Sequence, residues 1–476
     1  MKKGAFVGLL IALWQPPTFA MNLQEYLKAV ESNHRSIKSF SASTEAAQER
    51  RTGMDIELNP VLTAGVGYLS DKSPLGQFAT LGATETTAKD LKLGLAKKFS
   101  TGTSISVNAA ANEVENQGTL FVPAFTKFSF GTLGVGISQS LWKDSFGRAT
   151  RLRWQRQDAA MEAEVGSFDL NKKLLLVEAE KAYWDYIYLD EYLKIGRTSL
   201  DRAKRIESWT RRRVNDGISE RADLLSTQAL VGARQLAVIS AEDDFAAAKR
   251  RIRDFLELSD SESLPEISGD ISSARNLNAM VNGKGGKVLA LDAYLASLNS
   301  KALSLASREI EDAYRPDVVL SGSYNTNNLQ QDKTISDATA KWTDTALPTW
   351  RVGLNLVYTF DTDVKSSAQS AARKDALAAK LQSERKMLDS ESSWIELNRR
   401  YSEMSKRIET ATEIAKLQVA AAKAQADLFN KGRSITANVI KAEEDAAEAE
   451  LMLTRLKSEQ RKMEAQGRMF VVIEGN

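Results

Sequence analysis

The 476-residue chain has no cysteine, so disulfides and thiolate chemistry are excluded even in an oxidising compartment. It has one histidine, His34, which argues against His-based metal sites and leaves a single candidate base for any triad. Proline is scarce, at eight residues, and absent from 124 to 264 and from 349 to 476. Proline in a helix interior costs roughly 3 kcal/mol, so both gaps permit long helices. Beyond residue 20 no apolar run approaches the roughly twenty residues that a membrane helix needs. Any membrane crossing must then use β-strands, and lipid tolerates these only in a closed barrel. With 64 Lys and Arg against 62 Asp and Glu, the net charge of +2 gives no general attraction to nucleic acid.

What is present begins with residues 1–20, which read as a secretory signal peptide. Lys2 and Lys3 form the charged start, Ala5 to Trp14 the apolar run, and Thr18-Phe19-Ala20 the cleavage region after Pro16-Pro17. With no cysteine after it, a lipid anchor is not expected.

Both proline-free gaps are rich in Ala, Leu, Glu, Lys, Arg and Gln, the strong helix formers. Two long helices are expected, Arg148 to Asn215 and Val364 to Asn430. They stop at Asn215-Asp216-Gly217 and Asn430-Lys431-Gly432. At about 1.5 Å per residue, each would reach roughly 100 Å, which suits a tube or bundle better than a pocket enzyme. Glycine at each turn fits a helix C′ position with positive φ. Returning helices are expected to about Leu258 and Gln466, with Ser219 and Ser434 as caps.

The order repeats. A helix over Asn22–Leu58 precedes Pro60, and one over Val288–Tyr314 precedes Pro316. Each is followed by strands and a long helical hairpin. This divides the chain into a signal peptide (1–20), a first repeat (21–258), a linker rich in Ser, Gly and Asn (259–286) and a second repeat (287–476). Between its proline and its glycine turn, the first repeat is longer by about 40 residues. Much of the excess reads as an added hairpin, Leu91–Phe99 and Thr103–Ala110, around Ser100-Thr101-Gly102. The fold class expected is mainly α with β. Antiparallel helical hairpins form a barrel of their own, and strands contribute to an oligomeric transmembrane β-barrel.

Thr349 to Phe360 carries the membrane signal. Trp350, Val352, Leu354, Leu356, Tyr358 and Phe360 share one face, expected to meet lipid, and Arg351, Gly353 and Asn355 share the other. Val61–Ser70, Phe128–Trp142 and Asp317–Asn325 alternate in the same way. One chain supplies four to six strands, fewer than the eight or so of a minimal barrel, so the chain must oligomerise to close its sheet. Three chains giving four strands each would close twelve.

In these features the chain resembles outer-membrane efflux proteins of the TolC family. The likeness covers the whole mature length: helix, proline, strands, long helix, glycine turn and returning helix, twice over. Local matches are Ile137-Ser138-Gln139-Ser140-Leu141-Trp142 and Glu178-Ala179-Glu180-Lys181-Ala182-Tyr183-Trp184. At the turns they are Gly217 with Asp223-Leu224-Leu225, and Phe429-Asn430-Lys431-Gly432 with Asn438-Val439-Ile440. Gly217 to Asp223 and Gly432 to Asn438 have the same spacing.

The resemblance implies a homotrimer in outer-membrane lipid, with an α-helical tunnel through the periplasm. It also implies docking to a periplasmic adaptor and an inner-membrane pump or ABC transporter, with no catalysis, cofactor, metal or nucleic acid. It makes Asn215, Asp216, Gly217, Asn430, Lys431, Gly432 and Arg433 adaptor-facing tips. Asp223, Phe429, Asn438 and Lys441 become the candidate constriction. There the chain departs from its relatives, with Asn438 and Lys441 where acids are frequent, Phe429 for a tyrosine and Ser434 for an arginine. Three Lys441 charges would weaken cation preference, unless each pairs with a nearby acid such as Glu444. Arg211-Arg212-Arg213 is sufficiently explained by the helix dipole. Trp184, Tyr183, Ile187, Trp209 and Trp394 read as packing between helices. A periplasmic coiled-coil scaffold is the alternative function, but it leaves the strand alternation unused.

Overall fold

The computed structural model describes residues 20–73, 84–118, 126–259, 261–277, 287–344, 347–360 and 362–473. The signal peptide up to Phe19 and residues 278–286 of the linker lie outside the described residues. The chain divides into two compact units, each drawing on both sequence halves. One comprises Met1–Thr44, Gly166–Leu295 and Arg385–Asn476, and the other Glu45–Val165 and Ala296–Glu384.

The second unit carries one six-stranded antiparallel sheet. Its strands are β1 (Val61–Asp71), β2 (Glu85–Lys98), β3 (Thr103–Gln117), β4 (Lys127–Ser140), β6 (Asp317–Gln331) and β7 (Thr349–Val357), in the spatial order β1-β2-β3-β4-β6-β7. The added hairpin is β2–β3. It extends well past the expected Leu91–Ala110, and it lies inside the sheet between β1 and β4. Its turn uses Gly102 at φ 72°, where a side chain would be strained.

β7 stops at Val357, which pairs with Asp317 at the start of β6, directly after Pro316. Among the described residues no strand pairs Tyr358 or Phe360, so these two, expected on the lipid-facing strand, lie beyond its observed end. Their rings pack edge to face at 5.1 Å.

A helix the sequence did not suggest, α6 (Ile335–Ala340), lies in the β6–β7 connection. It rests on one sheet face at the far ends of β3, β4 and β6. Glu113 accepts the Ile335 N–H at 2.9 Å, the Trp342 indole N–H donates to Ala110 O at 3.0 Å, and Asn328 donates to Lys341 O at 2.9 Å. Gly131 is required there, because a Cβ would lie 2.7 Å from Ala338 O and 3.0 Å from the Trp342 ring.

Outside the six-stranded sheet the described chain is mainly helical, and its long helices run through both units. The expected helix over Asn22–Leu58 is broken into α1 (Leu23–Asn33), α2 (Arg35–Gly53) and a 3-10 turn, Met54–Leu58. At the break His34 turns to ψ 122°, and Glu257 accepts the freed Arg35 N–H at 2.6 Å. Glu257 itself ends α4 (Arg221–Leu256). The long helices are α3 (Arg148–Asn215) and α7 (Thr362–Asn430), and α8 (Thr436–Gly467) returns from the second.

The helix expected from Val288 starts later. Lys287–Ala290 is β5, paired with β8 (Phe470–Ile473), and α5 covers Leu291–Ala313. The main core gathers Tyr26 and Val30 of α1, Tyr183, Trp184 and Ile187 of α3, and Ile252 of α4. Trp394 stacks on Phe470 at 5.0 Å. These aromatics pack between helices, as expected from the apolar stripe of each helix.

Candidate functional site

Two helix-to-helix turns form the candidate docking tips, and their geometry is the same. At the first, Gly217 N–H donates to Val214 O (3.1 Å) and Ile218 N–H to Arg213 O (2.8 Å). At the second, Gly432 N–H donates to Phe429 O (3.0 Å) and Arg433 N–H to Leu428 O (2.8 Å). Both are Schellman motifs, with glycine at C′ and φ of 72° and 73°. A Cβ at either glycine would meet nothing within 4 Å, so the backbone angle alone selects glycine.

The returning helices are not capped by Ser219 and Ser434. Glu220 caps α4, in a capping box whose partner is Asp223, with Glu220 N–H to Asp223 Oδ2 at 3.3 Å. Ile435 precedes α8 and offers no side-chain cap, while Ser434 donates instead to Gln425 at 2.9 Å. One carboxylate oxygen of Asp223 is thus engaged in its own helix.

Phe429 does not stand free beside a pore within one chain. It is 1% exposed and packs with Ile206 and Val439, with Trp209 against them. Arg213 lies over its ring at 4.6 Å and donates to Phe429 O at 3.0 Å. One side chain of the Arg211-Arg212-Arg213 run therefore joins the first hairpin to the second. Arg211 pairs within its own helix, with Glu207 at 2.6 Å. The arginine run is visible in the sequence, but its long-range partner is not.

Further along α8, Asn438, Lys441, Glu444 and Glu448 form an exposed stripe. Lys441 pairs with Asp445 at 2.8 Å, and this hydrogen bond raises its pKa above the ordinary lysine value. The single lysine is thus answered by an acid, and two further carboxylates lie on the same stripe. Lys441, Glu444, Asp445 and Glu448 border a groove of about 1000 Å³ that also meets Tyr188 and Tyr192 of α3. On the neighbouring face Arg202 of α3 bonds Glu443 (2.7 Å) and Glu450 (3.2 Å) of α8.

The sequence gives no sign of a buried charge network that the structure contains. Glu180 of α3 is fully buried; it accepts a hydrogen bond from Arg468 and forms an ion pair with Arg275 at 3.3 Å. Glu464 and Arg461 of α8 are also fully buried and pair at 2.8 Å. Glu464 further accepts the Arg275 N–H (2.9 Å) and the Tyr401 hydroxyl (2.8 Å). Burial pushes the Glu464 carboxyl above its ordinary value, against the pull of these donors. Glu180 stands in the sequence as part of a family-like motif, but its partners are up to 288 residues away. Among the described residues no cluster of metal-ligating side chains occurs.

On the sheet, Trp350, Val352, Leu354 and Leu356 share one exposed face, as predicted. Through the register that face continues over Leu320 and Tyr324, Val135 and Ile137, Ile105 and Val107, then Leu93 and Leu95, to Leu62 and Val66, all of them exposed. The opposite face carries Asn355, Ser321, Ser138, Asn108 and Lys92. An apolar exposed face of this breadth, with edges at β1 and β7 that no other described strand pairs, is what a barrel segment requires.

No protein-family model matches the chain, and no curated protein does. Solved structures do match. The outer-membrane channel OprN is 18% identical, with a TM-score of 0.65 over 95% of this chain and 90% of its own. The outer membrane protein VceC of Vibrio cholerae is 12% identical, with a TM-score of 0.65 over 93% and 94%. The open-state MtrE outer membrane channel of Neisseria gonorrhoeae is 14% identical, with a TM-score of 0.64 over 94% and 88%. The chain has the fold of these outer-membrane channels, in keeping with the resemblance to the TolC family seen in the sequence.

Proposed function

We propose that the protein is an outer-membrane exit duct of a tripartite efflux or type I secretion system. It works as a homotrimer, with its sheet in outer-membrane lipid and its helical hairpins in the periplasm. The observation that carries this reading is the six-strand apolar face with an open edge on each side. A scaffold without a membrane barrel has no use for that face, which in water would invite aggregation. The fold shared with outer-membrane channels supports the same reading.

The tips at Asn215–Gly217 and Asn430–Arg433 meet the adaptor, which links the duct to an inner-membrane pump or ABC transporter. The stripe of Asn438, Lys441, Glu444 and Glu448 lines the narrow end. The experiment is outer-membrane fractionation with a high-salt wash, then native mass measurement in mild detergent. A salt-resistant trimer is expected, and a salt-released or monomeric protein would refute the proposal.

A further inference from the structure

Resting on the channel reading above, we infer that the β2–β3 hairpin is a membrane-spanning part of the barrel. Every chain then gives six strands, and three copies close eighteen rather than twelve. The first observation is pairing. β2 is bonded to β1 along Val61–Asp71, and β3 to β4 along Thr103–Glu115, so the hairpin separates two strands that would otherwise be neighbours. The second is chemistry. Leu91, Leu93 and Leu95 alternate with Asp90, Lys92 and Gly94, and by register the leucines lie on the apolar face of the whole sheet.

The third observation is geometric. A flat bilayer cuts tilted strands along a slanted line, so the centre of the apolar band must shift in one direction across the ladder. The band centres are Leu354 on β7, Leu320 on β6, Val135 on β4, Val107 on β3, Leu93 on β2 and Ala64 on β1. Leu354 pairs with Leu320, and Leu320 with Gln139, four residues from Val135. Val135 pairs with Val107, Val107 with Leu95, two residues from Leu93, and Leu93 with Ala64. The drift is in one direction, six residues over five steps. At about 3.3 Å per residue and about 4.8 Å between strands, it corresponds to a tilt of about 40°, inside the range of roughly 35–45° for transmembrane barrels. The hairpin lies on this line. A hairpin above the membrane would have no reason to.

Two consequences follow. Continuing the same drift across the open edges sets Ala64 of one copy opposite Leu354 or Leu356 of the next, antiparallel. Eighteen strands at this tilt and spacing give a backbone radius of about 18 Å, against about 12 Å for twelve.

The test uses the cysteine-free chain, in which each introduced cysteine is unique. Leu93→Cys, Lys92→Cys, Leu354→Cys and Asn355→Cys are spin-labelled separately and reconstituted in phosphatidylcholine vesicles. Collision with dissolved oxygen, which enters lipid, is compared with collision with a water-soluble nickel chelate. The oxygen-to-nickel ratio should be several-fold higher at Leu93 than at Lys92, and at Leu354 than at Asn355. A contrast at Leu354 with none at Leu93 overturns the hairpin assignment and leaves the channel reading standing. No contrast at either site overturns both. In a second measurement, oxidation should join Ala64→Cys to Leu93→Cys within one chain, and Ala64→Cys to Leu354→Cys or Leu356→Cys between chains. A bond from Ala64→Cys to Leu133→Cys instead would mean that β1 meets β4 directly, and the six-strand count would fall.

Discussion

Removing the Arg213 side chain should loosen both tips together. Arg213 touches the second hairpin in two ways, through a hydrogen bond to Phe429 O at 3.0 Å and a stack on the Phe429 ring at 4.6 Å. A hydrogen bond from a charged donor contributes roughly 1.5–3 kcal/mol, and a cation over an aromatic face about 0.5–1 kcal/mol where water still reaches it. Arg213 is only half-buried, so the lower part of the sum applies, about 2–3 kcal/mol. At about 1.4 kcal/mol per tenfold, Arg213→Ala should speed opening of the turn by roughly 30- to 150-fold. The reporters are the Ile218 and Arg433 amides, which close the two Schellman motifs. Their hydrogen exchange is followed in detergent-purified protein. Arg213→Lys keeps the charge but loses the planar fork, and should fall between wild type and Ala. Unchanged exchange at Arg433 in Arg213→Ala would show that Phe429 is held by its apolar neighbours alone.

Four further outcomes are expected. Leu354→Arg should sharply reduce the yield of heat-modifiable oligomer, because an arginine at the lipid midplane costs about 2–4 kcal/mol per copy, and Asn355→Arg should not; equal yields would invert or abolish the assigned faces. Gly217→Ala and Gly432→Ala should each cost about 1–2 kcal/mol, with Asn at the same positions costing less, since only positive φ is at stake; an Asn as harmful as Ala would point to a lost contact. The raised Glu464 carboxyl gives stability that is full below its ordinary value of 4.5 and lost as pH rises through its folded value, so Glu464→Gln should flatten the dependence of Tm on pH over that window, and an unchanged slope would assign the dependence elsewhere. Lys441→Ala should raise cation preference by freeing Asp445, seen as a shifted bilayer reversal potential at low salt, where screening is least; an unshifted potential would place the stripe outside the conducting path.

The elements built on local pattern were legible in the sequence. Proline-free, helix-forming stretches gave α3 to the residue and α7 within two, and period-two alternation gave β1, β4, β6 and β7. Local signals misled where a distant group decides the conformation. Nothing near His34 ends a helix, and the break depends on Glu257, 222 residues along the chain from Arg35. Val288–Ala290 looks helical until β8 supplies a strand to pair with. At the candidate site, the glycine turns were readable because positive φ is a property of one residue. The burial of Phe429, its clasp by Arg213 and the Glu180–Arg468 pair join segments more than 200 residues apart, and no spacing rule announces such meetings.

The small helix over β3, β4 and β6 also bears on the order in which the chain can be completed. Two of its anchors, Glu113 and Ala110, lie 222 and 232 residues before the groups they hold. Interactions of such long range are made late, because the intervening chain must be ordered before they return any stability. The β6–β7 connection has bonds to β6 of its own repeat, but its hold on the sheet is complete only once β3 is in place. A piece of the chain that lacked the hairpin would leave Trp342 and Ile335 with donors and nothing to receive them. The hairpin that distinguishes the first repeat is thus also the template on which the second is closed.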